Sequence, residues 1–309
     1  MTISQAFDQL DRNLCVSMST RNLISNRHNN IAKRVNYDFR GLSGSTSNTR
    51  YVGSYGRGTA IEGISDIDML MVLPYDTYYK YNNYSYNGQS ALLQAVKNSI
   101  KVTYPNTDLK GDGQIVQVSF SDGMMFEIVP CFLNNDGSYT YPDSNGGGSW
   151  LTTNPVPEIE AIKQMNADCN GNLYPLCRMT RAWKDQHSID IKGYLIDLMA
   201  YRFLSNYEHR TKTSVYHDYM MRDFFLFLSQ VSYTQASFRM PGSNRLYDNR
   251  GYFQYAAGKM PQSSGPTSRA DALSAVSCPG RSPRRESSKP TCPAAQSMGT
   301  HVTASHPDH

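Results

Sequence analysis

Apolar residues recur at helical spacing from the start of the chain. Phe7, Leu10 and Leu14 share one face, and Ile24, Ile31, Val35 and Phe39 continue a stripe with Arg and Asn opposite it. That pattern predicts one helix or two over 3–36. Gly41 to Asn48 is a loop by composition. Tyr51-Val52 starts a short strand, and the apolar run Met69 to Leu73, stopped by Pro74, reads as a buried one. The tyrosine-rich stretch 75–89 is a loop or helix entry. Leu92, Leu93, Val96 and Ile100 then predict a helix over 90–104, with Pro105 just past its end. Gln114 to Phe120 alternates, Met124 to Val129 is apolar up to Pro130, and Ser121-Asp122-Gly123 between them is a hairpin turn. Residues 134–157 read as a second loop. Helical periodicity returns over 158–165, 172–186, 195–203 and 218–231. The chain mixes predicted strands and helices, as an α+β fold does.

Chemistry concentrates in Tyr51 to Pro74, YVGSYGRGTAIEGISDIDMLMVLP. Asp66 and Asp68 are i and i+2, so a strand sets both carboxylates on one face. Like charges so placed repel unless a cation sits between them, and a divalent metal is the usual one. Gly53, Gly56 and Gly58 let backbone approach a triphosphate closely, and the Ser54 hydroxyl adds a donor. The run lacks both a Walker loop and a dinucleotide fingerprint. Glu127 stands alone among Phe126, Ile128 and Val129, an expensive place for a charge unless it is paired or metal-bound. Arg178, Arg181 and Lys184 form a basic stripe beside the apolar face of the helix predicted over 172–186.

The strings GSYGRGTAI with SDIDML, FEIVPCF, and LCRMTRAWKD with IKGYLIDLMAYRFL resemble the cGAS/DncV-like nucleotidyltransferases (CD-NTases) of bacterial CBASS anti-phage systems. These belong to the DNA polymerase β-type superfamily. The resemblance covers about residues 1–258. It implies a polymerase β-like catalytic core, a mixed sheet with helices, packed against a helical lobe. By it, Asp66, Asp68 and Glu127 are catalytic and hold two Mg²⁺ ions, for which Mn²⁺ may substitute. Gly53 and Ser54 bind nucleotide phosphates, Lys184 reaches the donor triphosphate, and Tyr194 lies near the base. Glu127 departs from the Asp common at that position. The implied function is joining nucleoside triphosphates into a cyclic di- or oligonucleotide that acts on a downstream CBASS effector, with regulatory partner proteins in some members. The alternatives are the same fold with a linear or tRNA acceptor, and a catalytically impaired nucleotide-binding module.

Length and charge change this picture little. The 309 residues suit a core over 1–150 with an N-terminal bracing helix, a helical lobe over 151–258 and a tail over 259–309. The tail is rich in Pro, Ser, Thr and Ala without apolar period, which predicts disorder or a foreign reading frame that truncates the lobe. A net charge of +4 suits a small polyanionic substrate and does not require nucleic acid. No apolar run reaches membrane-spanning length and no signal pattern opens the chain, so a cytoplasmic location is expected. Six cysteines without metal-ligand spacing fit reduced thiols.

Overall fold

In the computed structural model, residues 2–249 and 251–260 are described. The chain runs α1 (Ile3–Leu14), α2 (Met18–Arg40), β1 (Thr49–Tyr51), the single turn α3 (Gly53–Gly56) and β2 (Asp66–Val72). Next come α4 (Tyr75–Asn82), α5 (Gly88–Thr103), β3 (Asp108–Asp112), β4 (Ile115–Ser119), β5 (Met125–Leu133), β6 (Tyr139–Asp143) and β7 (Ser149–Thr153). The second half is α6 (Val156–Asp168), α7 (Leu173–His187), α8 (Gly193–Asn206), α9 (His217–Ser229), the hairpin β8 (Ser237–Arg239) and β9 (Leu246–Asp248), and α10 (Phe253–Gly258). The expected disorder or altered frame of the tail lies, beyond Met260, outside the described residues.

β2 is the hinge of the design because its two faces have different jobs. Ile67, Met69 and Met71 point to one side and pack with Ile31 and Val35 of α2 and Leu92, Val96 and Ile100 of α5. The alternate positions face the other way. Leu70 and Val72 meet Cys131, Tyr139 and Tyr141 there, while Asp66 and Asp68 lie nearer the strand's start. The sheet orders its strands β1-β2-β5-β4-β3, with β6 and β7 continuing from the far end of β5. β2 and β5 run parallel and the other pairs antiparallel, so the sheet is mixed. A second core joins α1 to the later helices: Phe7 and Leu10 pack with Leu176, Trp183, Phe224, Phe225 and Phe253. The N-terminal helix pair therefore divides its allegiance, α1 to the helices and α2 to the sheet.

Several boundaries differ from the sequence pattern for local reasons. Residues 134–157, read as a loop, contain the β6–β7 hairpin. Its turn needs Gly146, Gly147 and Gly148 at positive φ, and its tyrosines cover the far end of β2 and β5. The helix expected from Ser90 starts at Gly88, because the Asn87 side chain accepts from the Ser90 amide and is the cap. Stretch 75–89 contributes all of α4. β3 and the β8–β9 hairpin were not expected.

Candidate active site

The parallel register of β2 and β5 sets Asp68 directly beside Glu127, with Asp66 beside Met125. Adjacent residues on paired strands point to the same face about 5 Å apart, so all three predicted acids share one face at one end of the sheet. Burial pushes Asp68 up to about 6, a rise that Arg57 opposes and Asp66 reinforces. Burial also pushes Glu127 up to about 7, with Asp68 and Asp66 adding to it. Among the described residues no three acidic, His or Cys side chains are drawn into a closed metal cage. The donor set fits a hard divalent cation: oxygen ligands on neighbouring strands, carrying more negative charge than the surrounding protein neutralises.

The loop after β1 folds onto this edge. Val52 N–H donates to the Asp68 carbonyl at 3.0 Å, and Gly53 follows at φ +60°. A Cβ built on Gly53 would lie 1.7 Å from Asp68 Oδ2, so no side chain fits there. Gly56 is as constrained, since its Cβ would lie 2.5 Å from the Tyr51 carbonyl oxygen. Gly53 and Ser54 thus form a helical turn whose start rests against a candidate metal ligand.

The helices supply the rest, through a residue the sequence reading missed. Asp197, on α8, is fully buried. Its Oδ2 accepts from Arg57 Nε at 2.8 Å and from Thr59 Oγ1 at 3.0 Å, and its Oδ1 accepts from Arg181 Nη1 at 2.6 Å. The signal was present: a lone carboxylate in YLIDLMAYRFL is as costly as Glu127 in FEIVP. The basic stripe on α7 is largely spent on such pairs. Arg178 forms a two-pronged bond with Asp11 at 2.8 and 2.9 Å and Arg181 holds Asp197. Lys184, one turn beyond Arg181, is partly exposed and pairs only loosely with Asp185 at 3.8 Å. Tyr194 lies one turn before Asp197. Its ring packs 4.6 Å from that of Tyr247, and its hydroxyl donates to the Asp248 carbonyl at 3.2 Å. Tyr247 in turn donates to buried Glu158 at 3.0 Å, which pins the β8–β9 hairpin beside α6.

A mixed sheet with in-register acids on its central parallel strands, a glycine turn folded over them and a helical body behind is the layout of a polymerase β-type nucleotidyltransferase. The family model for the Second Messenger Oligonucleotide or Dinucleotide Synthetase domain matches residues 1–166, and the chain belongs to that family, as a cGAS/DncV-like nucleotidyltransferase. A "Cyclic AMP-AMP-AMP synthase" from Acinetobacter is 28% identical over 223 residues, which are 67% of this chain and 60% of that protein. The chain thus spans less than two thirds of the length of that relative. Among solved structures, Bradyrhizobium diazoefficiens CdnG in complex with GTP superposes with a TM-score of 0.59 at 9% identity, over 89% of this chain and 90% of that one. The E. coli CdnC:HORMA-deltaN complex superposes with a TM-score of 0.56 at 13% identity, over 88% of this chain and 87% of that one. These likenesses establish the fold.

Proposed function

We propose that this chain joins nucleoside triphosphates into a cyclic di- or oligonucleotide that serves as a signal in anti-phage defence. The observation that carries the reading is Asp68 in register with Glu127, with Asp66 on the same face and Gly53 closed over Asp68. These three acids are the residues that would hold two Mg²⁺ ions, or Mn²⁺ in their place. Bound there, the ions supply the positive charge that makes a ribose hydroxyl acidic enough to attack an α-phosphate and that neutralises departing pyrophosphate. The chain's own residues do the rest. The Gly53–Ser54 turn presents backbone N–H groups and a hydroxyl to the phosphates of the donor. Lys184 adds charge from α7, and Tyr194 offers its ring to the base. A cyclic AMP trimer is the product named for the Acinetobacter relative and makes ATP the first substrate to try. The HORMA complex of the structural neighbour suggests a regulatory protein partner. No helix among the described residues is long and apolar enough to cross a membrane.

The test is incubation of purified protein with each radiolabelled nucleoside triphosphate and Mg²⁺ or Mn²⁺, then phosphatase treatment and chromatography. A phosphatase-resistant product is expected, falling about 10³-fold or more in Asp66→Asn/Asp68→Asn, since removing even one preorganised electrostatic group costs about 10²–10³. Phosphatase-sensitive oligomers would point to a linear product. Label transferred to added tRNA would point to a tRNA acceptor. Product that survives loss of both aspartates would overturn the site.

A further inference from the structure

Asp197 is buried, charged and outside the acidic edge, and nothing in the proposed chemistry uses it. Three of its partners come from two parts of the molecule. Arg57 and Thr59 belong to the loop that begins at Gly53, and Arg181 belongs to α7, where its Nη2 also donates to the Gly193 carbonyl at 3.0 Å. The Thr59 hydroxyl has one hydrogen and two acceptors within reach, Asp197 at 3.0 Å and the Ser54 carbonyl at 3.4 Å. The nearer, charged acceptor takes it. The Thr59 amide donates to the Ser54 carbonyl at 3.0 Å, so holding Thr59 also holds the turn that carries Ser54. Arg57 N–H closes the same turn on the Gly53 carbonyl at 3.1 Å.

From this geometry we propose that Asp197 is the positioning residue of the phosphate loop. Anchored in the helices by Arg181, it grips the loop at Arg57 and Thr59 and so fixes Gly53 and Ser54 against Asp68. The inference rests on the nucleotidyltransferase reading above. A stability role alone would need only that the buried charge be paired, and Arg181 by itself would supply that pair. The two loop-side bonds span 138 and 140 residues of sequence to reach one carboxylate oxygen. They tie the phosphate loop to the body that carries Lys184 and Tyr194.

The experiment leaves Asp197 and Arg181 intact and cuts only the loop side. Thr59→Val, Thr59→Ser, Arg57→Lys and Arg57→Gln are assayed for product from nucleoside triphosphates, with kcat and KM resolved and each variant melted. Thr59→Val is near-isosteric and leaves both ion pairs, so it folds. It should lose about tenfold in kcat/KM, the scale of one hydrogen bond to a buried charge, while Thr59→Ser stays within about twofold of wild type. Arg57→Gln should lose about 10²-fold, the cost of a small misplacement of reacting groups, and the loss should fall in kcat more than KM. Arg57→Lys keeps the charge without the fork and should recover only part of it. Wild-type kcat and KM in Thr59→Val and Arg57→Gln would overturn the proposal. So would a loss that only follows the unfolded fraction at assay temperature. A wild-type chain that makes no product would instead sink the parent reading, and this one with it.

Discussion

Asp197 lies between two guanidinium groups, whereas Asp68 and Glu127 share a sheet face with a third acid, Asp66. Burial alone would raise Asp197, Asp68 and Glu127 alike. At Asp197 that rise is outweighed by Arg181 and Arg57, which hold the carboxyl below its ordinary range. At Asp68, Arg57 opposes the rise without cancelling it, and at Glu127 the neighbouring acids add to it. One region neutralises its charge with the protein's own cations and is thereby locked. The other has charge left over, the condition under which a bound cation gains most. A single arginine, Arg57, belongs to both regions.

The largest effect should come from breaking the locked region. Asp197→Ala strands Arg181 and Arg57 as buried cations, and removing one partner of a buried pair costs about 3–5 kcal/mol. A large fall in the urea midpoint is the expected result, with Asp197→Asn falling less because its amide can still accept from Arg181. If Asp197→Ala melts with wild type, the contrast between the regions is wrong.

A smaller effect, of opposite sign in pH, should come from the unbalanced region. In chelator-treated protein Asp68 and Glu127 titrate near 6 and 7 when folded, above their ordinary values of 3.8 and 4.5. Between those limits the folded chain binds more protons than the unfolded chain. Stability from these two groups is therefore present at about pH 4 and lost as pH rises through 6 and 7. Asp197 has the reverse sign, since its depressed folded value makes its stability fade only as pH falls below the ordinary carboxylate range. Adding Mg²⁺ should raise the melting temperature more at pH 8 than at pH 5.5, and not at all in Asp66→Asn/Asp68→Asn. A Mg²⁺ response that ignores pH and the two aspartates would place the cation elsewhere.

The two regions also differed in how far the sequence disclosed them. The acidic edge was legible because its parts are local: Asp66-x-Asp68 on a run stopped by Pro74, and Glu127 in FEIVP. Alternation in the two apolar strands fixes which set faces α2 and α5, while the register that pairs Asp68 with Glu127 is set by the fold. β3 was hidden because it offers one apolar residue, Leu109, and lies at the sheet's edge. β6 and β7 were hidden by the glycine run between them, which looked like a loop and is a turn. Asp197 was hidden for a different reason. Its meaning lies in partners far away in the chain, which no spacing rule connects. The basic stripe on α7 misled in the same way, since Arg178 and Arg181 are consumed by Asp11 and Asp197.

That leaves Lys184 as the cation of the stripe without a strong partner, and it gives the smallest and most selective prediction. Its side chain is 35% exposed, and its ion pair with Asp185 is a loose, solvent-screened one of a kind that contributes about 0–1 kcal/mol. Lys184→Ala should therefore leave the melting temperature almost unchanged. If Lys184 reaches the donor triphosphate, its loss removes one charge-assisted contact, about 1.5–3 kcal/mol when formed. Partial solvent exposure brings that to roughly a tenfold rise in KM for the nucleotide. The rise should weaken as salt is added, because an exposed charge is screened within about 10 Å at 0.1 M. A KM that stays put at low salt would remove Lys184 from the site. It would also make α7 a structural helix, joined to the chemistry through Arg181 and Asp197.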